Sequence, residues 1–172
     1  MTSEPAATWK SKVLEAATQG EWDTLETLLS NKDVDEEIDT DGGTALMWAA
    51  CKGHGRVVKQ LIYYRACVHH KDKNGRVAIM EAAGQGHEEV VKVLLAANAN
   101  VNEKGSVRIG EDKRNEKQPL DWAIQNVQVG VMKVLLAAGA DATTINDLSK
   151  FKVRFEAANG NTTLQEMLMV NR

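Results

Sequence analysis

The chain repeats itself every 33 residues, and this periodicity restricts its fold more than any other feature. Residues 42–54 (GGTALMWAACKGH) align with residues 75–87 (GRVAIMEAAGQGH). A third copy, at 118–142, follows at an offset of 41, so eight additional residues lie between the second and third copies, within 104–117. Periods of this length are typical of solenoids, in which each unit packs only against its neighbours.

Weaker copies flank the three clear ones, as expected for terminal units that must show one face to water. The first copy retains an Ala-Ala pair at 16–17, and the last retains a shifted pair at 157–158. The pattern predicts a disordered tail at 1–7 followed by about five repeats. Their predicted bounds are 8–38, 39–71, 72–104, 105–145 with the eight-residue insertion, and a terminal cap at 146–172.

Each copy reads as two helices and a tight turn. Leu46, Ala49, Ala50 and Gly53 follow one another at helical spacing and so share one face. Their small size favours close contact between helices. Thr44 is placed to cap the first helix, Gly53 and Gly86 suit a left-handed helix end, and Asn74-Gly75 is a strong turn signal.

These motifs resemble those of ankyrin-repeat proteins. The family pattern G-x-T-P-L-H-x-A-A-x-x-G-H corresponds to GGTALMWAACKGH, and VVxLLLxxGADVN corresponds to VVKVLLAANANVN at 90–102. Met47, Met80 and Asp121 replace the motif His, and only Pro119 keeps the motif Pro. The resemblance implies an all-α ankyrin-repeat solenoid that acts as a non-catalytic scaffold or adaptor, binding a protein or peptide.

In that family the partner lies in a concave groove formed by the variable helix faces and the loop tips. Carried over to this chain, the predicted partner-binding residues are Thr40, Asp41, Gly43, Trp48, Cys51, Lys52, Lys73, Asn74, Arg76, Glu81, Gln85, Trp122, Gln125 and Asn126. Trp48 and Trp122 are either exposed anchors for a partner or packing between repeats, whereas Trp9 and Trp22 are expected to pack in the terminal repeat.

Charge is unevenly distributed along the loops. Residues 33–41 hold six carboxylates and no basic group, whereas the following loops are rich in Lys and Arg. This pattern indicates either ion pairs between stacked loops, such as Asp41 with Lys73, or a polar groove that orients a charged peptide. The insertion is expected to project as a loop with one short strand at Val-Arg-Ile, and it is either functional or a neutral surface feature.

Other classes of function lack their sequence signals. The net charge of −3 argues against nucleic-acid binding, no apolar run is long enough to span a membrane, and no secretory signal is evident. No phosphate-binding or catalytic metal motif occurs, and Cys67, His69 and His70 form the closest group of ligand-type side chains. We therefore expect an intracellular monomer, cytoplasmic or nuclear, with Cys51 and Cys67 reduced, no cofactor, no metal and no catalysis.

The resemblance also implies one modification and leaves two rival functions. Asparaginyl hydroxylases act on ankyrin repeats at an Asn that follows a Leu and an acidic residue, which places Asn102 as the candidate. Leu94 stands upstream, but Asn100 replaces the acidic residue. The rivals are a targeting module related to a larger ankyrin-containing enzyme and a sensor of small anions or nucleotides.

Overall fold

The structure, a computed structural model, describes residues 6–109 and 113–142. Residues 1–5 of the predicted tail, residues 110–112 of the insertion and the predicted cap at 146–172 lie outside the described residues. The first helix begins at Ala6, two residues before the predicted start of the repeat domain.

Eight helices and one β-hairpin make up the described part of the chain. In chain order they are α1 (Ala6–Gln19), α2 (Trp22–Leu29), α3 (Ala45–Cys51), α4 (Gly55–Tyr63), α5 (Ala78–Gln85), α6 (Glu88–Ala96), β1 (Gly105–Ile109), β2 (Lys113–Lys117), α7 (Pro119–Gln125) and α8 (Val129–Ala137). The odd-numbered helices pack side by side as an inner row, and the even-numbered helices pack as an outer row. This is the predicted solenoid of helix pairs.

The predicted small-residue stripe forms the centre of the stack. Ala49 and Ala50 of α3 and Ala82 and Ala83 of α5 are fully buried, as is Ala123 of α7. Without larger side chains at these positions, neighbouring inner helices approach closely and bury the adjoining Leu and Met side chains. The expected packing role of Trp9 and Trp22 is confirmed, because both are less than one-tenth exposed.

Local signals determine where helices begin and end. The Thr44 hydroxyl accepts a hydrogen bond from the Met47 N–H at the start of α3, as predicted. Gly53 and Gly86 have φ values of 78° and 84°, so both helix ends adopt the left-handed conformation that glycine tolerates best.

Histidine bonds link α1 and α3 to the repeat that follows each of them. His54 Nε2 lies 2.8 Å from the Thr18 carbonyl oxygen, and His87 Nε2 lies 2.9 Å from that of Cys51. Because a carbonyl only accepts, Nε2 carries the proton and donates. A Cβ at Gly53 would stand 2.6 Å from His87 Nδ1, so glycine at this turn also makes room for the ring. His54 and His87 therefore have a structural role, because each joins two successive repeats.

The insertion differs from the sequence expectation. It forms two antiparallel strands rather than one, with the register Gly105 to Lys117 and Ile109 to Lys113. The second strand, KRNEK, was not anticipated because it has no apolar alternation and little strand propensity. The hairpin begins against the second clear repeat, since a Cβ at Gly105 would lie 2.8 Å from the Gly75 carbonyl oxygen.

Among the described helices, none combines the length and the apolar character needed to cross a membrane.

Replacing His87 by Ala tests the histidine link. His87→Ala removes the donor to the Cys51 carbonyl and should lower the free energy of unfolding by about 1–2 kcal/mol, measured by urea denaturation. The matched control is His69→Ala, because His69 is exposed, and it should change stability by less than about 0.5 kcal/mol. Equal losses in the two variants would contradict a linking role for His87.

Candidate partner-binding groove

The inner helices present a row of dissimilar side chains on the face away from the outer helices. Trp48, Glu81 and Trp122 occupy equivalent positions on α3, α5 and α7, and all three are half-buried. Gly84 lies beside the third repeat, with Trp122 side-chain atoms 3.7 Å from where its Cβ would be. We call this face, together with the adjoining loop tips, the groove.

Trp48 is fixed in the groove by a carboxylate from the tip of its own repeat. Its Nε1 donates to Asp39 Oδ2 at 2.6 Å, while Asp39 Oδ1 accepts the N–H groups of Asp41 and Gly43, each at 2.8 Å. Burial acts to raise the pKa of Asp39, but these three hydrogen bonds outweigh it and hold the pKa below its ordinary value of 3.8. Asp39 is therefore the charged acceptor that sets the orientation of the indole.

The next loop tip, at residues 72–76, has the same arrangement, with an arginine held by the carboxylate instead of a tryptophan. Asp72 Oδ1 accepts the N–H groups of Asn74 and Arg76 at 2.8 Å, and Asp72 Oδ2 takes both Nε and Nη2 of Arg76 at 2.7 Å. The other terminal nitrogen of Arg76 lies 3.0 Å from Glu81 Oε1 on α5. Arg76 is thus held by two carboxylates, one of them almost fully buried.

Sequence reasoning missed Asp39 and Asp72. The signal was present, because Asp-x-x-Gly occurs at 39–42 and again at 72–75, and an Asp at that place accepts the backbone N–H groups of a turn. The turn motif does not determine the side-chain contacts to Trp48 of α3 and to Arg76, which precedes α5, because these depend on which residue stands at each place.

A cleft of about 60 Å³ lies between these two tips. Its walls come from Asp39, Gly43, Met47, Trp48, Cys51, Asp72, Arg76 and Glu81. Three carboxylates and one guanidinium make the lining net negative, and the volume suits one or two waters or the end of a single side chain. The cleft is therefore poorly suited to a nucleotide or another small anion.

Cys51 and Glu81 also line this cleft, and both are half-buried. Burial, reinforced by the charge of Glu81, raises the pKa of the Cys51 thiol, so the thiol stays protonated and unreactive at neutral pH. Burial also raises the pKa of Glu81, although Arg76 acts in the opposite direction. Within the described residues, no cluster of His, Cys, Asp and Glu is arranged to hold a metal ion.

The repeat architecture and its sequence motifs now decide the family. A family model for ankyrin repeats (3 copies) matches residues 13–105, more than half of the chain. The chain belongs to the ankyrin-repeat family. A search of curated proteins finds no significant match.

The third clear ankyrin repeat, at 118–142, lies beyond the matched segment and has lost the tip carboxylate. The residue 41 positions after Asp72 is Lys113, which lies in the hairpin. Accordingly, Trp122 Nε1 is buried without a hydrogen-bond acceptor among the described residues. The Lys117 ammonium instead lies 4.8 Å from the centre of the Trp122 ring and donates to Gln125.

The tips of the ankyrin repeats contact one another through backbone acceptors. Lys73 Nζ donates to the Thr40 carbonyl at 2.6 Å, and the Lys73 N–H donates to the Asp41 carbonyl at 2.8 Å. The predicted ion pair between Asp41 and Lys73 is therefore wrong, because the ammonium is directed to an uncharged oxygen. Ion pairs between stacked loops do occur elsewhere, as between Lys71 and Glu103 at 2.6 Å.

The remaining predicted groove residues are less constrained. Four of them are exposed at or near the ends of the inner helices: Lys52, Gln85, Gln125 and Asn126. Asn102 lies away from the groove tips, where its side chain accepts the Asp141 N–H at 2.8 Å and donates to the Gly139 carbonyl at 3.3 Å. Hydroxylation of Asn102 stays a prediction, and these two bonds show that the residue also links adjacent repeats.

Neutralising Asp39 tests whether its charge stabilises the loop tip and the Trp48 indole. Asp39→Asn keeps the shape but loses the charge, so we expect about 1 kcal/mol less stability at pH 7. Because the folded pKa lies below 3.8, the contribution of Asp39 is present above that pH and is lost as the pH falls through the folded value. The difference between wild type and variant in urea denaturation should therefore shrink towards acid. Asp41→Asn, at the exposed end of the same tip, is the control and should cost less stability at pH 7 than Asp39→Asn.

Substituting Arg76 and substituting Glu81 should lower the free energy of unfolding by clearly different amounts. Arg76→Gln leaves buried Asp72 and half-buried Glu81 without a cation, and should cost about 2–3 kcal/mol in thermal or urea unfolding. Glu81→Gln leaves Arg76 paired with Asp72, and should cost less than about 1 kcal/mol. Equal losses of unfolding free energy in the two variants would mean that the Arg76 guanidinium does not stabilise the buried Asp72 carboxylate.

Proposed function

We propose that the groove recognises a protein or peptide partner and that the chain acts as a non-catalytic scaffold or adaptor. The observation that carries the proposal is the contrast between two faces of the same helices. One buried position is alanine in all three clear repeats, as Ala49, Ala82 and Ala123. The equivalent groove positions hold Trp48, Glu81 and Trp122. Packing alone does not require such different side chains, so the groove face is the one that carries specificity.

The groove is arranged before any partner arrives. Asp39 fixes the Trp48 indole, and Asp72 with Glu81 fixes the Arg76 guanidinium. Side chains that are already held lose little conformational entropy on binding, which favours affinity for a given contact area. This supports Trp48 as an apolar anchor, with part of its ring already packed and part facing the cleft.

The charges of the groove differ between the cleft and the end of α3, and each region favours a different kind of partner side chain. The net-negative cleft suits a basic side chain or a backbone N–H of the partner, whereas exposed Lys52 at the end of α3 suits an acidic one. Lys73, Arg76, Glu81 and Gln85 complete the set of groove side chains that we assign to specificity. The cleft charge gives no support to the rival function of a small-anion sensor.

Affinity purification with mass spectrometry tests the proposal. Wild type should capture at least one protein that the double variant Trp48→Ala/Trp122→Ala captures at least about tenfold less, equivalent to 1.4 kcal/mol. Because the cleft contacts are charged, this capture should also weaken as the salt concentration rises.

A control separates lost binding from lost folding. Tyr63→Ala/Tyr64→Ala changes the outer helices only and should capture the same protein as wild type, while circular dichroism confirms that both variants are folded. A protein captured equally by wild type and by the Trp48→Ala/Trp122→Ala variant would contradict a groove-centred interface.

A further inference from the structure

Two aromatic side chains stand on the outer row where the two later clear repeats have alanine. Tyr63 and Tyr64 end α4, at positions that correspond to Ala96, Ala97, Ala137 and Ala138. The helix pairs of the later repeats therefore stack without any large side chain at these positions. Tyr64 contacts α2 of the preceding repeat, whereas Tyr63 is largely exposed and adds little to the stack, so its exposure calls for another explanation.

These tyrosines form one cluster with Trp22 of α2, which we call the outer aromatic patch. The Tyr64 ring centre lies 5.3 Å from that of Trp22 and 5.6 Å from that of Tyr63, the second pair being edge to face. Tyr63 is 78% exposed and Tyr64 is 48% exposed, and they are the exposed large hydrophobic side chains of the described residues. A solvent-exposed aromatic patch of this kind is typical of an interaction site.

A cavity of about 610 Å³ lies beside the patch, about ten times the volume of the groove cleft. Trp22, Leu29, Val34 and Tyr64 form its apolar surface. It exists because α2 and α4 make only sparse contact compared with the later pairs of outer helices. Its volume falls in the range of sites that bind small ligands or short peptide segments.

The charges at the cavity favour a cation in the occupant. Glu26 and Asp33 line the cavity, and neither forms an ion pair with a basic side chain of the described residues. Glu26 accepts the Tyr64 hydroxyl at 2.6 Å and is thereby held at the edge of the patch. Lys32 also lines the cavity, but its ammonium lies over the Trp9 ring, 5.2 Å from the ring centre.

The length of the surface favours a short, extended occupant. α2 has eight residues, which is about 12 Å of helix. A polyproline II segment advances about 3.1 Å per residue, so about four residues span that length. Such segments dock on exposed aromatic rings without needing a sheet edge, and flanking basic residues pair with nearby carboxylates.

We propose that the outer aromatic patch docks a proline-containing segment of a partner protein in the polyproline II conformation, with an arginine placed towards Glu26 and Asp33. This surface lies on the outer row, on the opposite side of the helix pairs from the groove. The two sites therefore bind independently, and the inference goes beyond the groove function.

Synthetic peptides and purified full-length protein test the proposal by fluorescence anisotropy. The probe is a labelled peptide of repeated Pro-Pro-Leu-Arg units. Two matched peptides isolate the features of the occupant: Gly-Gly-Leu-Arg units remove the polyproline conformation, and Pro-Pro-Leu-Glu units reverse the charge. We expect the probe to bind at least about tenfold more tightly than either control peptide.

Variants then locate the bound peptide. Tyr63→Ala/Tyr64→Ala installs the residues that the later repeats already carry. It loses the Tyr64 contacts with Trp22 and Glu26 but should stay folded, as circular dichroism checks, and should bind the probe at least about tenfold less tightly. Glu26→Gln/Asp33→Asn should weaken the Arg-containing probe and should not weaken the Glu-containing peptide, so the difference between the two peptides should shrink. Trp48→Ala/Trp122→Ala should bind the probe like wild type, even if the groove proves to have no partner.

Several results would overturn the proposal. Binding no tighter than that of the two control peptides would refute the polyproline occupant, and equal binding by the tyrosine variant would place the peptide elsewhere. Sedimentation that shows a concentration-dependent dimer of wild type, abolished in the tyrosine variant, would show instead that a second copy of this chain covers the patch.

Discussion

The close approach of one inner helix to the next is the contact on which the whole molecule depends. It is possible because fully buried alanines, such as Ala49 and Ala82, stand at the interface. The histidine bonds to the preceding repeat form only at this separation, since His87 reaches the Cys51 carbonyl across a turn that has room for a glycine and nothing larger. Enlarging one alanine would therefore disturb packing, the histidine bond and the groove together.

The tip carboxylates connect this packing to the groove. Asp39 and Asp72 each close a turn with one oxygen and hold a groove side chain with the other. The same residue thus serves the backbone and the candidate binding surface, which explains why a short turn gives a rigid groove. The third clear repeat shows the reverse case, because its tip carries a hairpin and the Trp122 indole has no acceptor among the described residues.

Much of the fold was predictable because the same local rules recur every 33 residues. The helix cap at Thr44, the left-handed Gly53 and the buried alanines each follow from residues close in sequence. The errors concern contacts between repeats and polar side chains with several acceptors in reach. Lys73 was assigned to Asp41 by charge alone, but a tip carbonyl of Thr40 lies nearer the ammonium, and exposed ion pairs contribute too little to decide between them.

The hairpin has a consequence for how the array unfolds. In a stack whose units touch only their neighbours, cooperativity passes from one interface to the next. Between α5–α6 and α7–α8 the tight Asp-closed turn is replaced by a ribbon, so the contacts between loop tips differ there from those of the preceding repeats. Asn102 and the Lys71–Glu103 ion pair still join the loops across this interface. We therefore expect cooperativity to pass through the ribbon, so that a partner contacting both Trp48 and Trp122 would bind one cooperative unit.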